Sequence, residues 1–235
     1  MIVESMSYEE ICREYNRIHD IYYARLQSKM SPDGRDVHKI RRFMLKHKDS
    51  SDVLFKPLKF TVDTNTTYYA IPKIPNYKFL MKKGPTAMTF LTYMCSYGLM
   101  AVMRVGYNDN EFLFATSHFF DRFAERFLKK DVSKSESICQ FFANNTNFIM
   151  TLFPTKDNPN NLIGVTDEII IFGERIASNI TFAKTCITRD MLFSNQIGAT
   201  DMLDENIQFM IEDRERLRQY VLNNKSGKLN RISFF

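Results

Sequence analysis

The chain has 235 residues, 44% of them apolar and 25% charged, with a net charge of +5. That is enough for one large domain, or for one domain with a helical appendage, and no apolar run approaches the roughly 18 residues that a membrane span needs. The opening MIVESMSYEEICREY is acidic and polar, unlike a signal peptide, and Cys12, Cys95, Cys139 and Cys186 form no CxxC pair, which points to reduced thiols in a cytoplasmic protein rather than to disulfides or a zinc site.

The first element begins at a capping box, Ser7-x-x-Glu10, and predicts a helix to about Met30. Ser31-Pro32-Asp33-Gly34 is a turn, and a second, basic helix is expected from Arg35 to His47. Asp49 to Asp52 has the composition of a linker, so residues 1–52 are read as a helical N-terminal unit ahead of an α+β domain, residues 53–235, or as continuous with it. Residues 11–48 hold ten Lys/Arg against four acids, an excess of six that is larger than the net charge of the whole chain. Within it Arg35, Lys39, Arg41, Arg42 and Lys46 are candidates for binding a polyanion, either RNA or an acidic protein partner, and the alternative is a solvated helix face.

Strands are expected next, at Thr66–Ile71, Thr86–Met94, Leu99–Val105 and Glu111–Thr116, with short connections at Ser96-Tyr97-Gly98 and Asn108-Asp109-Asn110. A helix with Ser117 as its N-cap leaves the last of these strands. A second capping box, Ser133-x-x-Glu136, starts a further helix to about Asn145. After a turn at Asn158–Asn161, strands are expected at Leu162–Val165, Glu168–Phe172 (ended by Gly173) and Ile180–Ile187. A short helix at Arg189–Ser194 and a long one from Asp201 to Asn223 follow, the latter with Met202, Ile207, Met210, Ile211 and Leu217 on its core face. The expected class is α+β: an antiparallel twisted sheet with a packed helix pair, plus N-terminal and C-terminal helices.

The segment SHFFDRFAERFLKK, Ser117 to Lys130, concentrates the chemistry. At 100° per residue His118, Asp121, Arg122, Glu125 and Arg126 fall within an arc of about 140°, with His118, Arg122 and Arg126 on one ridge. An imidazole that takes a proton and two forked guanidiniums that brace a phosphate are parts of a metal-independent phosphodiester site. The same residues also make an ordinary salt-bridged face, through pairs such as Arg122 with Glu125. His118, Asp121 and Glu125 are competent metal ligands, but the two interleaved arginines repel a cation, and no motif points to a metal or another cofactor.

A strand ending just before His118, the His-x3-Arg-x3-Arg helix, a second helix and a run of strands resemble the barnase/EndoU/colicin/RelE-like group of small, toxin-like ribonucleases, over residues 111–192 or so. The resemblance implies a helix pair on a twisted antiparallel sheet and metal-independent RNA cleavage, with His118 as acid/base and Arg122 and Arg126 as phosphate clamps. It further implies an auxiliary group on the later strand, Phe182-Ala183-Lys184-Thr185-Cys186-Ile187-Thr188. Strict alternation places Lys184 and Thr188 on one side with Cys186, opposite Thr185 and Ile187, and they are favoured because a buried lysine would need a partner. The competing expectations are a non-enzymatic nucleic-acid- or acidic-protein-binding protein using the basic N-terminal helices, and an assembly protein with no active site.

Overall fold

The computed structural model describes residues 2–30, 35–47, 53–83, 85–105, 111–145, 149–166 and 169–223. The expected turn at Ser31–Gly34, the linker at Asp49–Asp52 and the connection at Asn108–Asn110 lie outside them. The fold is α+β, and among the described residues no helix is long and apolar enough to cross a membrane. The described residues fall into two compact units, one running to Leu91 and resuming at Arg216, the other Thr92–Glu215.

In the first unit, helix α1 spans Tyr8–Met30 and starts on the expected capping box. The Glu10 amide donates to Ser7 Oγ at 3.2 Å, and the Ser7 amide donates back to the Glu10 carboxylate at 2.7 Å. These bonds hold the Glu10 carboxyl below its usual range. Ile11, Tyr15, Ile18 and Leu26, spaced three, four and eight apart, are the buried face of α1. That face packs on β3, Thr66–Ile74. The polar pin of this contact is buried His19, whose Nδ1 lies 3.0 Å from Tyr68 Oη and 3.3 Å from Thr89 Oγ1, with its ring stacked between Tyr15 and Tyr23.

Two strands that the sequence does not announce, β1 (Val53–Leu54) and β2 (Leu58–Thr61), pair antiparallel with β3. Helix α2, Arg35–Lys46, and a short helix α3, Tyr77–Lys83, bury Ile40, Met44 and Leu80 against Ile74. Strand β4, Thr86–Cys95, begins in the first unit, where Phe90 stacks on Tyr69 at 5.0 Å. Its last residues lie in the second unit and turn through Ser96–Tyr97.

The second unit continues with β5 (Gly98–Val105), β6 (Glu111–Ala115), α4 (Ser117–Phe123), α5 (Lys134–Asn144) and four strands, β7 (Ile149–Leu152), β8 (Asn161–Val165), β9 (Ile170–Ala177) and β10 (Ile180–Ile187). Their order is β5-β6-β10-β9-β8-β7. The pairing is mixed rather than purely antiparallel, because β6 and β10 run parallel, from Phe112 beside Ile180 to Ala115 beside Ala183. The chain leaves β6 through two helices and a meander before β10 returns alongside it, the long crossover that a parallel pair requires. The expected helix pair is present. Phe119, Phe120 and Phe123 of α4 meet Phe141 of α5 at ring separations of 4.9–5.9 Å, mostly edge to face, and Ser137 Oγ donates to the Phe120 carbonyl.

Three sequence expectations need correction. Gly173 does not end its strand, since β9 runs through it to Ala177; a Cβ there would sit 2.0 Å from the Phe182 carbonyl oxygen, so only glycine allows β10 to approach this closely. The last helix, α6, starts at Ser194 and reaches Asn223. Among its described residues the buried apolar side chains are Leu203 and Ile207, set against Ile163, Val165 and Ile170 with Ile211 packed beside them as expected, while Met202 is exposed.

Candidate functional site

Helix α4 is positioned by its first bonds. Its N-cap is Thr116, not Ser117: the Thr116 hydroxyl accepts from the Phe119 amide at 3.1 Å, and the Thr116 amide donates to the Ala183 carbonyl of β10 at 3.2 Å. Ser117 is instead the first helical residue, and its carbonyl accepts from Lys134 Nζ at 3.1 Å. His118 stands exposed and makes no hydrogen bond or ion pair among the described residues.

The cations around it are engaged. Arg122 binds the Glu125 carboxylate at 2.6 Å. Lys134 pairs with Asp121, and partial burial lowers the lysine's pKa. After Phe123 the helix widens into a π-turn, Ala124–Leu128, closed by the bond from the Lys129 amide to the Ala124 carbonyl and by Lys129 at φ 51°. Arg126 lies within this turn. Arg126 donates to the Cys186 carbonyl and ties the helix to β10.

Lys184 and Thr188 sit on the same strand but in different settings. The register of β9 and β10 shifts between Ala183 and Thr185, which leaves Lys184 as the extra residue of a bulge. The strict alternation expected for Lys184, Cys186 and Thr188 is therefore lost: Cys186 is buried and Lys184 exposed. Lys184 pairs with Glu174, and that bond is the main reason the glutamate's pKa is lowered. Half-buried Thr188 precedes a 3-10 turn and makes no side-chain capping bond to it. Sequence reading passed over Arg189, which grips Asp204 through two bonds of 2.6 and 2.8 Å and reaches the Thr166 carbonyl, fixing α6 to the strands. Among the described residues no three His, Cys, Asp or Glu side chains gather as a metal-ligand set, and all four thiols are free. Burial pushes the Cys12 and Cys186 thiols up to about 12.

The basic N-terminal segment divides differently. On α1, Arg17 is clamped by Glu14 at 2.7 Å and Arg25 lies 5.1 Å over the Tyr22 ring. On α2, Lys39, Arg42 and Lys46 are exposed, and none of them makes an ion pair among the described residues. At 100° per residue positions 35, 39, 42 and 46 occupy an arc of about 60°, facing away from the buried Ile40 and Met44. Arg41 lies off this ridge, half-buried, with its Nε enclosed and lacking a hydrogen-bond partner. The side chain of Arg35 is not among those described.

Phe43, beside the ridge, is 41% exposed. Its ring lies 4.5 Å from that of His47, tilted by 32°, and 5.7 Å from that of Phe55, edge-on at 74°. Its spacing from Lys39 and Lys46, four and three residues, is the signal in the sequence that would have found it. Compared with known proteins, the chain matches no family model, no curated protein and no solved structure.

Proposed function

We propose that the protein binds the phosphate backbone of a nucleic acid through the exposed cations of α2. The observation that carries this reading is the contrast in pairing. Lys39, Arg42 and Lys46 line one helix face with no acid to neutralise them among the described residues, whereas Arg122, Lys134 and Lys184 each hold a carboxylate. Unneutralised cations aligned on a rigid helix release the counterions of a polyanion at small cost in side-chain ordering. Fluorescence anisotropy with a labelled oligonucleotide tests it. Binding at low salt is expected to weaken with a log–log slope of about −2 to −3, as for three neutralised phosphates. The double variant Lys39→Glu, Arg42→Glu should bind at least about tenfold more weakly, and His118→Ala should bind like the wild type. Absence of binding at low salt, or tighter binding to poly-glutamate than to the oligonucleotide, overturns the assignment.

One observation favours the metal-independent ribonuclease as a second reading, namely the exposed and unpartnered His118. In that reading Arg122 and Arg126, with Lys184 or Thr188, must exchange their present partners for phosphate. RNA cleavage in EDTA that His118→Ala abolishes would support it, and an intact RNA panel would end it.

A further inference from the structure

The cations of α2 account for attraction to phosphate but not for the ring set among them. Ile40 and Met44 already carry the packing of this helix, yet Phe43 keeps 41% of its surface open beside Lys39 and Lys46. An exposed phenylalanine is unremarkable by itself. This one is held in place: Phe55 meets it edge-on, and the Phe55 amide donates to the Pro72 carbonyl of β3 at 3.0 Å, so its support is anchored to the sheet. A ring fixed in advance loses little rotamer freedom when a ligand stacks on it. Helical geometry puts Lys39 about 40° and Lys46 about 60° around the axis from Phe43, both on the same side, with Lys39 about one turn before the ring and Lys46 nearly one turn after it, so the ring borders the ammonium groups. An apolar face beside cations matches a ligand that alternates flat apolar groups with anions.

We propose that α2 selects single-stranded over duplex nucleic acid, with a base stacked on Phe43 and the neighbouring phosphates on Lys39 and Lys46. The inference rests on the phosphate-binding reading above and adds its substrate class. In a duplex the base faces are already stacked on one another, so only the charge of the backbone is offered to the helix. In a single strand each base has a free face, and stacking on an aromatic ring adds to affinity whatever the base.

Binding of a 15-nucleotide single strand, the duplex of the same sequence and a sugar–phosphate strand of the same length without bases, all at one salt concentration, tests this. The single strand is expected to bind at least about fivefold more tightly than the baseless strand, the lower end of what one aromatic stack contributes. Phe43→Leu, which keeps the apolar contact with Phe55 but removes the aromatic face, should erase that preference and leave the salt slope unchanged. Phe43→Tyr should retain it. Equal affinity for the single strand and the baseless strand, preference for the duplex, or a preference that survives Phe43→Leu overturns the proposal while phosphate binding stands. If none of the three ligands binds, the phosphate-binding reading falls and this inference falls with it.

Discussion

Helices α4 and α2 both present cations and use them in opposite ways. On α4 and its surroundings four cations have partners: Arg122 with Glu125, Lys134 with Asp121, Lys184 with Glu174, and Arg126 with a backbone carbonyl. On α2 the ridge cations have none among the described residues. The α4 motif looked the more chemical of the two in sequence, because His and Arg at i, i+4 spacing suggest a reactive centre. What decides whether such residues are free to act is which counter-charges they meet, on their own helix, as Arg122 meets Glu125, or from another element. Lys134 lies thirteen residues from Asp121, and Glu174 ten from Lys184. The lesson is that a cluster of cations becomes informative once its counter-charges are located.

The sharpest way to break the comparison is to remove what holds α4 in place. Phe141→Ala empties the centre of the phenylalanine cluster and should destabilise the protein by about 3–5 kcal/mol, read by urea unfolding, and should alter oligonucleotide binding only insofar as the protein unfolds. Next comes Arg126→Met, which leaves the Cys186 carbonyl without its charged donor. It should cost about 1–3 kcal/mol and leave binding unchanged, whereas Arg42→Glu should weaken binding and leave stability unchanged. An Arg126→Met protein that keeps full stability but loses ligand binding would reverse the roles assigned to the two helices.

The smallest effect concerns α1. The Arg17 bond is the main cause that holds the Glu14 carboxyl at about 2, below its ordinary 4.5. A carboxyl depressed in the folded state contributes stability that is fully present above about pH 4.5 and is lost as the pH falls toward 2. Glu14→Gln should therefore lower stability at pH 7 by about 1 kcal/mol, or roughly 2–4 °C in Tm. The difference from wild type should shrink steadily in melts recorded from pH 4.5 down. It would also free Arg17 and make α1 more like α2.

What the sequence made legible follows from how local each feature is. The boxes at Ser7/Glu10 and Ser133/Glu136 were readable because the two residues that form each bond are three apart. The Ile180–Ile187 strand was expected with the bounds that it has. The parallel pairing of β6 with β10 was not, since no spacing within either strand records a partner 68 residues away. Strand β1 has two residues, too few for any pattern, and it exists through its bonds to β3. The π-turn was hidden because Ala124–Leu128 has the composition of an ordinary helix, and the bulge at Lys184 because it is a shift in register against β9. The candidate site suffered most from this. Its residue types and the Arg122–Glu125 pair were visible, but the partners of Asp121, Arg126 and Lys184 were not, and Phe43 was overlooked because its support comes from Phe55, twelve residues on.

The parallel pair also bears on how the chain assembles as it is made. Phe112 leaves the ribosome 68 residues before Ile180, its neighbour in the sheet. At 5–20 residues per second that interval is roughly 3 to 14 s. Throughout it β6 can pair with β5 on one side only, while its other edge presents open amides and carbonyls between Phe112 and Phe114. Such an edge invites pairing with a neighbouring nascent chain. Slower elongation over residues 116–180 would lengthen that exposure, making the yield of soluble protein sensitive to synonymous codon changes in this stretch.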